Sequence, residues 1–315
     1  MWNLRMSIKY SCVKLVVRCL ILIATIIAGV SCESRVNIKN AKSDTIQENS
    51  HVEWFKVADN LYQFRYKHHY TLFVTSSKGV IAFDPLSDEA AGHYISAIKA
   101  VAPGQPLIAI IYSHWHIDHS AGARILMREF GNNIPVIAHE RTLARLKRWD
   151  DPAIILPNEL IGDEGKLLHF GDVDIKLNYL GYGHTNNMLV PLFPKQKLVF
   201  VVDFANNDAV GWRDLPGWYL GELVAMHERL NRLDFNTVAF AHGKPGDKST
   251  IVRQSKYYKK LMSLAKFAFE KGLSEDEAVK DIEPKMSDYK HWHSYDDWFT
   301  LNIRGAYRWV KNKNN

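Results

Sequence analysis

The residues best equipped for chemistry lie together in Ser113-His114-Trp115-His116-Ile117-Asp118-His119, where three histidines and an aspartate fall within six residues. Imidazole nitrogens and a carboxylate are borderline ligands that suit zinc and its first-row neighbours. An ion held in this way acts as a Lewis acid on an oxygen electrophile. Taken alone, the stretch could also be a polar loop that is merely rich in histidine. The rest of the chain decides between these readings by whether it supplies partners.

Three further segments do so. Gly181-Tyr182-Gly183-His184-Thr185, Phe200-Val201-Val202-Asp203 and Phe240-Ala241-His242-Gly243 each set a metal-type residue just past an apolar run. Phe83-Asp84-Pro85 does the same earlier in the chain. A single histidine is more often a packed or surface residue than a ligand. Five such segments in order, each at a strand end, reverse that expectation.

The elements that must carry these residues can be read from periodicity. Residues 107–112, Leu-Ile-Ala-Ile-Ile-Tyr, form a short, continuous, β-branched run that reads as a buried strand. In α/β proteins the ends of such strands carry the functional residues. Upstream, 61–66 alternates and 71–75 and 79–83 are β-rich, which predicts a strand meander. A helix is expected over 87–101, opened by Ser and Asp and closed by Pro103-Gly104. Helix-like 121–130, a strand at 134–138 and amphipathic 140–148 follow, an alternation that makes the chain α/β. The second half predicts strands at 166–170, 173–180, 188–193 and 198–202, broken by Gly, Pro, Asn and Asp. Then come a helix at 222–233, a strand at 237–241 and a long helix at 249–271. Ser274, followed by Glu275 and Asp276, opens another helix. No solenoid-type repeat is visible.

In order and position these motifs resemble the metallo-β-lactamase superfamily over about residues 54–245. The resemblance implies an α/β, four-layer αβ/βα sandwich with a dinuclear site on one edge. It implies a domain at 51–245 and a helical C-terminal extension, 246–315, packed on it. By position, His114, His116 and His184 would hold one metal. Asp118, His119 and His242 would hold the second, with Asp203 bridging. Zinc, two ions per chain, is the implied cofactor, and the ligand set would also accept iron or manganese. Two ions about 3.5–4 Å apart can share a hydroxide and polarise the scissile group together. Asp118 would orient that hydroxide or pass a proton to the leaving group. The residue matching Asp84 supports the histidine loop through hydrogen bonds and does not bind metal.

The bond cleaved is less defined. Some β-lactamases of the superfamily carry cysteine where this chain has Asp203, whereas an aspartate bridge is typical of thioesterases of the glyoxalase II type, lactonases and related hydrolases. The Gly-Cys-Gly-Arg type segment of glyoxalase II is replaced by residues 204–208, Phe-Ala-Asn-Asn-Asp. The interval from Asp203 to His242 has no room for the inserted domain of the nucleases. The expected activity is hydrolysis of a small-molecule ester, lactone, thioester or amide. The alternatives are a β-lactamase, a mononuclear iron oxygenase of the same fold, and a non-catalytic binding protein of the envelope. Tyr70, on the 66–70 hairpin, and Trp212 and Trp218, in the 209–219 segment, are candidate pocket walls for an apolar or ring-bearing substrate. Trp212 and Trp218 could equally pack under the C-terminal helices. His68 and His69 read as loop residues rather than as ligands, and Trp292, Trp298 and Trp309 as helix-packing residues.

Composition bounds the remaining classes. At 315 residues and 47% hydrophobic content, the chain can bury a sizeable core. Arg5, Lys9, Lys14 and Arg18 precede an apolar run at 20–30, with no acidic residue before Glu33. Residues 1–31 therefore read as a secretory signal, with an uncleaved membrane anchor as the competing reading. Of the net charge of +6, these four cations account for +4, so the remainder, +2, does not support a nucleic-acid partner. All three cysteines, Cys12, Cys19 and Cys32, stand at or before the end of this leader. The body therefore has neither disulfides nor thiolate ligands. Cys32 resembles a bacterial lipoprotein cleavage position, with Gly29 where an aliphatic residue is usual, so membrane attachment is expected only through a lipid at Cys32. Residues 32–50 read as a flexible tether. The expected location is the bacterial envelope, periplasmic or lipid-anchored. The expected partner is a small-molecule substrate, and the sequence leaves oligomeric state open.

Overall fold

The computed structural model describes residues 51–314; the segments expected to be a signal and a tether, with Cys32, lie outside the described residues. Two sheets form the framework. The first has seven strands in chain order: β1 (Val52–Ala58), β2 (Leu61–Tyr66), β3 (His69–Ser76), β4 (Gly79–Phe83), β5 (Leu107–Ile111), β6 (Val136–His139) and β7 (Glu159–Ile161). β1 to β4 are antiparallel, and β4 to β7 run parallel. The second sheet has six strands, β8 (Lys166–Phe170), β9 (Val173–Tyr179), β10 (Leu189–Phe193), β11 (Leu198–Val201), β12 (Thr237–Phe240) and β13 (Gly246–Asp247). Within it only β11 and β12 pair in parallel.

The apolar runs of the sequence are strands buried on both faces. In β4 and β5, Ile81, Phe83, Ala109 and Ile111 join the core shared with the second sheet. Val80, Ala82 and Ile110 face the opposite way, into a core with helices α1 (Asp88–Val101), α3 (Ala123–Phe130) and α4 (Glu140–Trp149). This two-residue alternation is the pleat of a strand expressed as two cores. β9 alternates buried Val173, Ile175 and Leu177 with exposed Asp174 and Lys176, the pattern of an antiparallel strand covered on one face. α5 (Leu220–Asn231), α6 (Lys248–Glu270), α7 (Glu275–Ile282) and α8 (Tyr295–Asn314) contribute Leu223, Met226, Ile251, Tyr257, Ile282 and Phe299 to the core of the second sheet. The result is the expected four-layer αβ/βα arrangement, with the C-terminal helices in its outer layer.

Helix ends follow local chemistry. The Ser87 side chain caps α1 by accepting from the Ala90 amide. Asp247 with Thr250, and Ser274 with Glu277, form capping boxes on α6 and α7. The helix expected over 121–130 is α3, which begins at Ala123, and a single turn that was not expected, α2 (Ile117–Ser120), precedes it. Between them, Gly122 donates its amide to Leu86 O at 2.8 Å, and a Cβ there would lie 2.3 Å from Pro85 O. This close backbone approach admits only glycine and ties the histidine loop to the loop after β4. Among the described residues no helix is long and apolar enough to cross a membrane.

Candidate metal centre

The two sheets meet at one edge, where strand ends deliver the histidine and aspartate residues. Ser113 to His119 follow β5 and include α2; Asp84 follows β4. From the second sheet, His184 follows β9, Asp203 follows β11 and His242 follows β12. Asp84 and Asp203 have positive φ, 29° and 61°, in the region that ordinary residues avoid. Such backbone persists where its surroundings over-determine it, most often at functional sites.

Asp203 is the hub. Its Oδ2 lies 3.2 Å from His114 Nε2 and 3.3 Å from His184 Nε2. Its Oδ1 lies 2.8 Å from His242 Nε2 and 3.4 Å from His119 Nε2. His116 Nδ1 completes the first group, 2.9 Å from His184 Nε2. The ligand atoms of His114, His116, His184 and Asp203 all lie within 4.8 Å of one another, as do those of His119, Asp203 and His242. His114 Nε2, His119 Nε2 and Asp203 Oδ1 are buried and find no hydrogen-bond partner in the protein. Each such orphan costs about 1–3 kcal/mol. Lone pairs that converge without bonding one another are what a cation would satisfy, and a set of imidazoles and carboxylates suits a first-row divalent ion. The residues therefore fit a metal.

Electrostatics agree. Burial opposes ionisation of Asp203, but His119 and His184 beside it hold its carboxyl well below the usual carboxylate range. Burial pushes His184 well below the ordinary histidine value. Burial and the neighbouring His114 bring His116 down to about 4. Neutral imidazoles and an ionised carboxylate are the protonation states that bind metal. His119 goes the other way: burial is overcome by Asp203, Asp84 and Asp118, which raise it. Three carboxylates around one imidazole concentrate negative charge, which favours a cation at this place.

Asp84 supports the ligands from behind. Its Oδ1 accepts the Ser113 amide at 2.7 Å and its Oδ2 accepts the Ser113 hydroxyl at 2.7 Å. Oδ2 also lies 3.2 Å from His119 Nδ1, and Ser113 Oγ is 3.0 Å from His114 Nδ1. The His184 loop is fixed from α4. Arg145 donates twice to Asn186 Oδ1, at 2.8 and 3.1 Å, and Asn187 Nδ2 donates to Thr142 Oγ1 at 2.9 Å. Neither α4 nor Asn186 was singled out from sequence, because polar helix residues give no sign of what they face.

The structure places the remaining predicted residues unevenly. Asp118 is 53% exposed at the mouth of the site, with Oδ2 3.6 Å from His119 Nε2. Trp218 is buried, with its ring perpendicular to that of His184 and 5.1 Å away. Trp218 also packs on Tyr258 of α6, so it serves both readings of that segment. Trp212 is 48% exposed and lies under the Arg213 guanidinium at 5.4 Å. Tyr70 donates its amide to Ala241 O at 2.7 Å, which seats the β2–β3 hairpin against the end of β12. That docking brings in a residue the sequence reading set aside: His69 Nε2 lies 3.3 Å from Asp118 Oδ2. His69 is thus a member of the site and not a free loop residue.

Comparison with known proteins agrees with this geometry. A sequence profile described as the metallo-beta-lactamase superfamily matches residues 66–242, more than half of the chain. A linear primary-alkylsulfatase from Pseudomonas sp. is 36% identical over 77 residues, 24% of this chain and 11% of that protein. The chain therefore matches only a small part of that relative's length. Among solved structures, a stereoselective inverting sec-alkylsulfatase from Pseudomonas sp. superimposes with a TM-score of 0.66 at 16% identity. That match covers 81% of this chain and 49% of the other. A metallo-beta-lactamase from Pontibacter korlensis gives a TM-score of 0.57 at 19% identity, covering 66% of this chain and 99% of that one. At these identities the structural likeness is one of fold.

Proposed function

The chain belongs to the metallo-β-lactamase superfamily, and on that premise we propose a hydrolase, a dinuclear zinc enzyme that cleaves an ester-type bond in a small molecule. The observation that carries this reading is the division of labour at Asp203, whose two carboxylate oxygens face two separate sets of imidazole nitrogens. His114, His116 and His184 would hold one ion; Asp118, His119 and His242 would hold the other; Asp203 would lie between. When bound, such a pair supplies Lewis-acid polarisation of the scissile group and a nucleophile at neutral pH.

The chain's own groups complete the chemistry. The hydrogen bond from His69 and the charge on His119 outweigh burial and keep Asp118 ionised. At the mouth of the site its carboxylate can take a proton from an attacking water and return it to a leaving group. Trp218, packed against His184, keeps water from that side of the ligand. Beside His116, Trp115, Arg145, Arg148 and Trp149 line an open pocket. The Trp115 ring is 4.6 Å from that of His116, and the Arg145 guanidinium stands 5.7 Å from the Trp115 ring. Aromatic faces with guanidinium groups suit a substrate that has an apolar body and an anionic group. The same pocket, together with the alkylsulfatase relative, supports a second reading in which the scissile group is a sulfate ester. The leader pattern in the sequence supports an exported enzyme.

Elemental analysis of the purified chain, run beside a hydrolysis panel, tests the proposal. The panel comprises carboxylic esters, lactones, thioesters, cephalosporins and alkyl sulfates. About two zinc ions per chain, with turnover lost on chelation and restored by zinc, is the expected result. An alkyl sulfate as best substrate selects the second reading, and a cephalosporin as best substrate moves the protein to the β-lactamases. One iron per chain without hydrolysis overturns the proposal.

A further inference from the structure

His69 opens β3, directly after the two-residue turn of the β2–β3 hairpin, paired with Tyr66. Lys67 in that turn has φ 55°. The hairpin is not free to move away from the site. Tyr70 N donates to Ala241 O at 2.7 Å, and Gln63 Nε2 donates to Phe240 O at 2.7 Å. His242 Nδ1 lies 3.2 Å from His68 O, which as its acceptor fixes the tautomer and turns the Nε2 lone pair inward. Three contacts, one each from β2, β3 and the turn between them, thus tie the hairpin to the end of β12, and His69 is carried in with them.

The consequence is a third group of ligand atoms. His69, Asp118 and His242 offer atoms that all lie within 4.8 Å of one another. The ring of His69 is 4.9 Å from that of His242 and 6.2 Å from that of His119. Asp118, which the resemblance placed with His119 and His242, thus sits in the His69 group, and His242 is common to this group and to that of His119 and Asp203. The residues that would hold the second ion of the proposed pair are thus joined by an imidazole that the resemblance did not supply. We propose that His69 is a further nitrogen ligand of this second ion, binding on the side of Asp118 and His242. This rests on the two-metal reading above. The role would make the β2–β3 hairpin a structural part of the metal centre rather than a rim around it.

The alternative for the same contact is that His69 only orients Asp118 by a hydrogen bond. Cobalt(II) separates the two. The metal-stripped full chain is titrated with cobalt and followed by its visible ligand-field absorption, for the natural chain and for His69→Ala, His69→Gln and His68→Ala. His68 is exposed and contributes only its backbone carbonyl, so His68→Ala controls for disturbance of the turn. Loss of a residue behind a ligand weakens metal binding by roughly 10–100-fold, so loss of a direct ligand is expected to exceed about 100-fold in the second binding step. The first step should be unchanged, and the spectrum of the second cobalt should change in both His69 variants. Two cobalt ions bound in His69→Ala, with the natural spectrum and a second step weakened by no more than about 100-fold, would overturn the ligand role while leaving the two-metal reading intact. A single cobalt in the natural chain, indifferent to His69, would overturn both. Circular dichroism on each variant identifies any that has not folded.

Discussion

Asp84, fully buried beneath the histidine loop, accepts two hydrogen bonds from Ser113 and lies close to His119 Nδ1, so one carboxylate orients ligands of both proposed ions. In Asp84→Asn the amide keeps the shape but can accept at only one of its two termini. Either the Ser113 contact or the His119 contact must then be lost or reversed. Metal affinity is expected to fall roughly 10–100-fold with the fold retained, as measured by competition with a chelator and by thermal melting. Unchanged affinity would show that Asp84 holds the loop but does not tune its ligands. The ligand residues themselves were legible because each follows an apolar strand. His69 was not, because it opens β3 directly beside a polar turn. A signal did exist: β3 runs antiparallel to β4, and β4 runs parallel to β5. The start of β3 therefore lies at the same sheet edge as the ends of β4 and β5, where Asp84 and His114 sit, and a histidine there is already near the site.

At the scale of elements, strands buried on both faces were legible as unbroken apolar runs, whereas β1, β7 and β13 were not. β1 carries Glu53 and Lys56, β7 has three residues of which two are exposed, and β13 has two residues. The C-terminal helices have a role that periodicity could not reveal. Asn302 of α8, completely buried, donates to Gly211 O at 2.8 Å and Arg213 O at 2.7 Å. It also accepts from Gly211 N at 2.9 Å and from Tyr257 OH at 2.8 Å. These bonds hold the 209–219 segment, whose Arg213 and Leu215 have φ of 48° and 57°, against the domain, and that segment carries Trp218 to His184. Gly305, one turn further on, permits the approach, since a Cβ there would lie 2.0 Å from Asp214 O. Asn302→Ala leaves several buried backbone groups unpaired and is expected to cost about 3 kcal/mol of stability, measured by urea unfolding. It should also raise KM more than it lowers kcat, because the metal ligands do not pass through Asn302. A cost below about 1 kcal/mol would mean that water replaces the side chain and that the helices do not position the segment.

For the whole molecule, the two sheets share one core, yet the site divides its residues between them. The first sheet supplies Asp84 and the run from His114 to His119; the second supplies His184, Asp203 and His242. The fold class was legible because strand and helix periods alternate through the first half. Contact between the sheets at this edge was not, because it is made by single polar pairs such as Gln63 with Phe240 O. This junction holds buried nitrogens and an oxygen that find no hydrogen-bond partner in the protein. A metal bound there would join the halves, and because its ligands converge only in the folded chain, its binding free energy becomes folding free energy. With free zinc at about 100 times its dissociation constant, a single such site adds about 2.7 kcal/mol. For a chain of this size that corresponds to roughly 4–5 °C in Tm. Calorimetry of the stripped and zinc-loaded chain should show a shift of that order, growing with zinc concentration, while Asp203→Ala should abolish most of it. A stripped chain that melts at the same temperature as the loaded one would mean that zinc binds no more tightly to the folded chain than to the unfolded one, and the junction would then be held by its protein contacts alone.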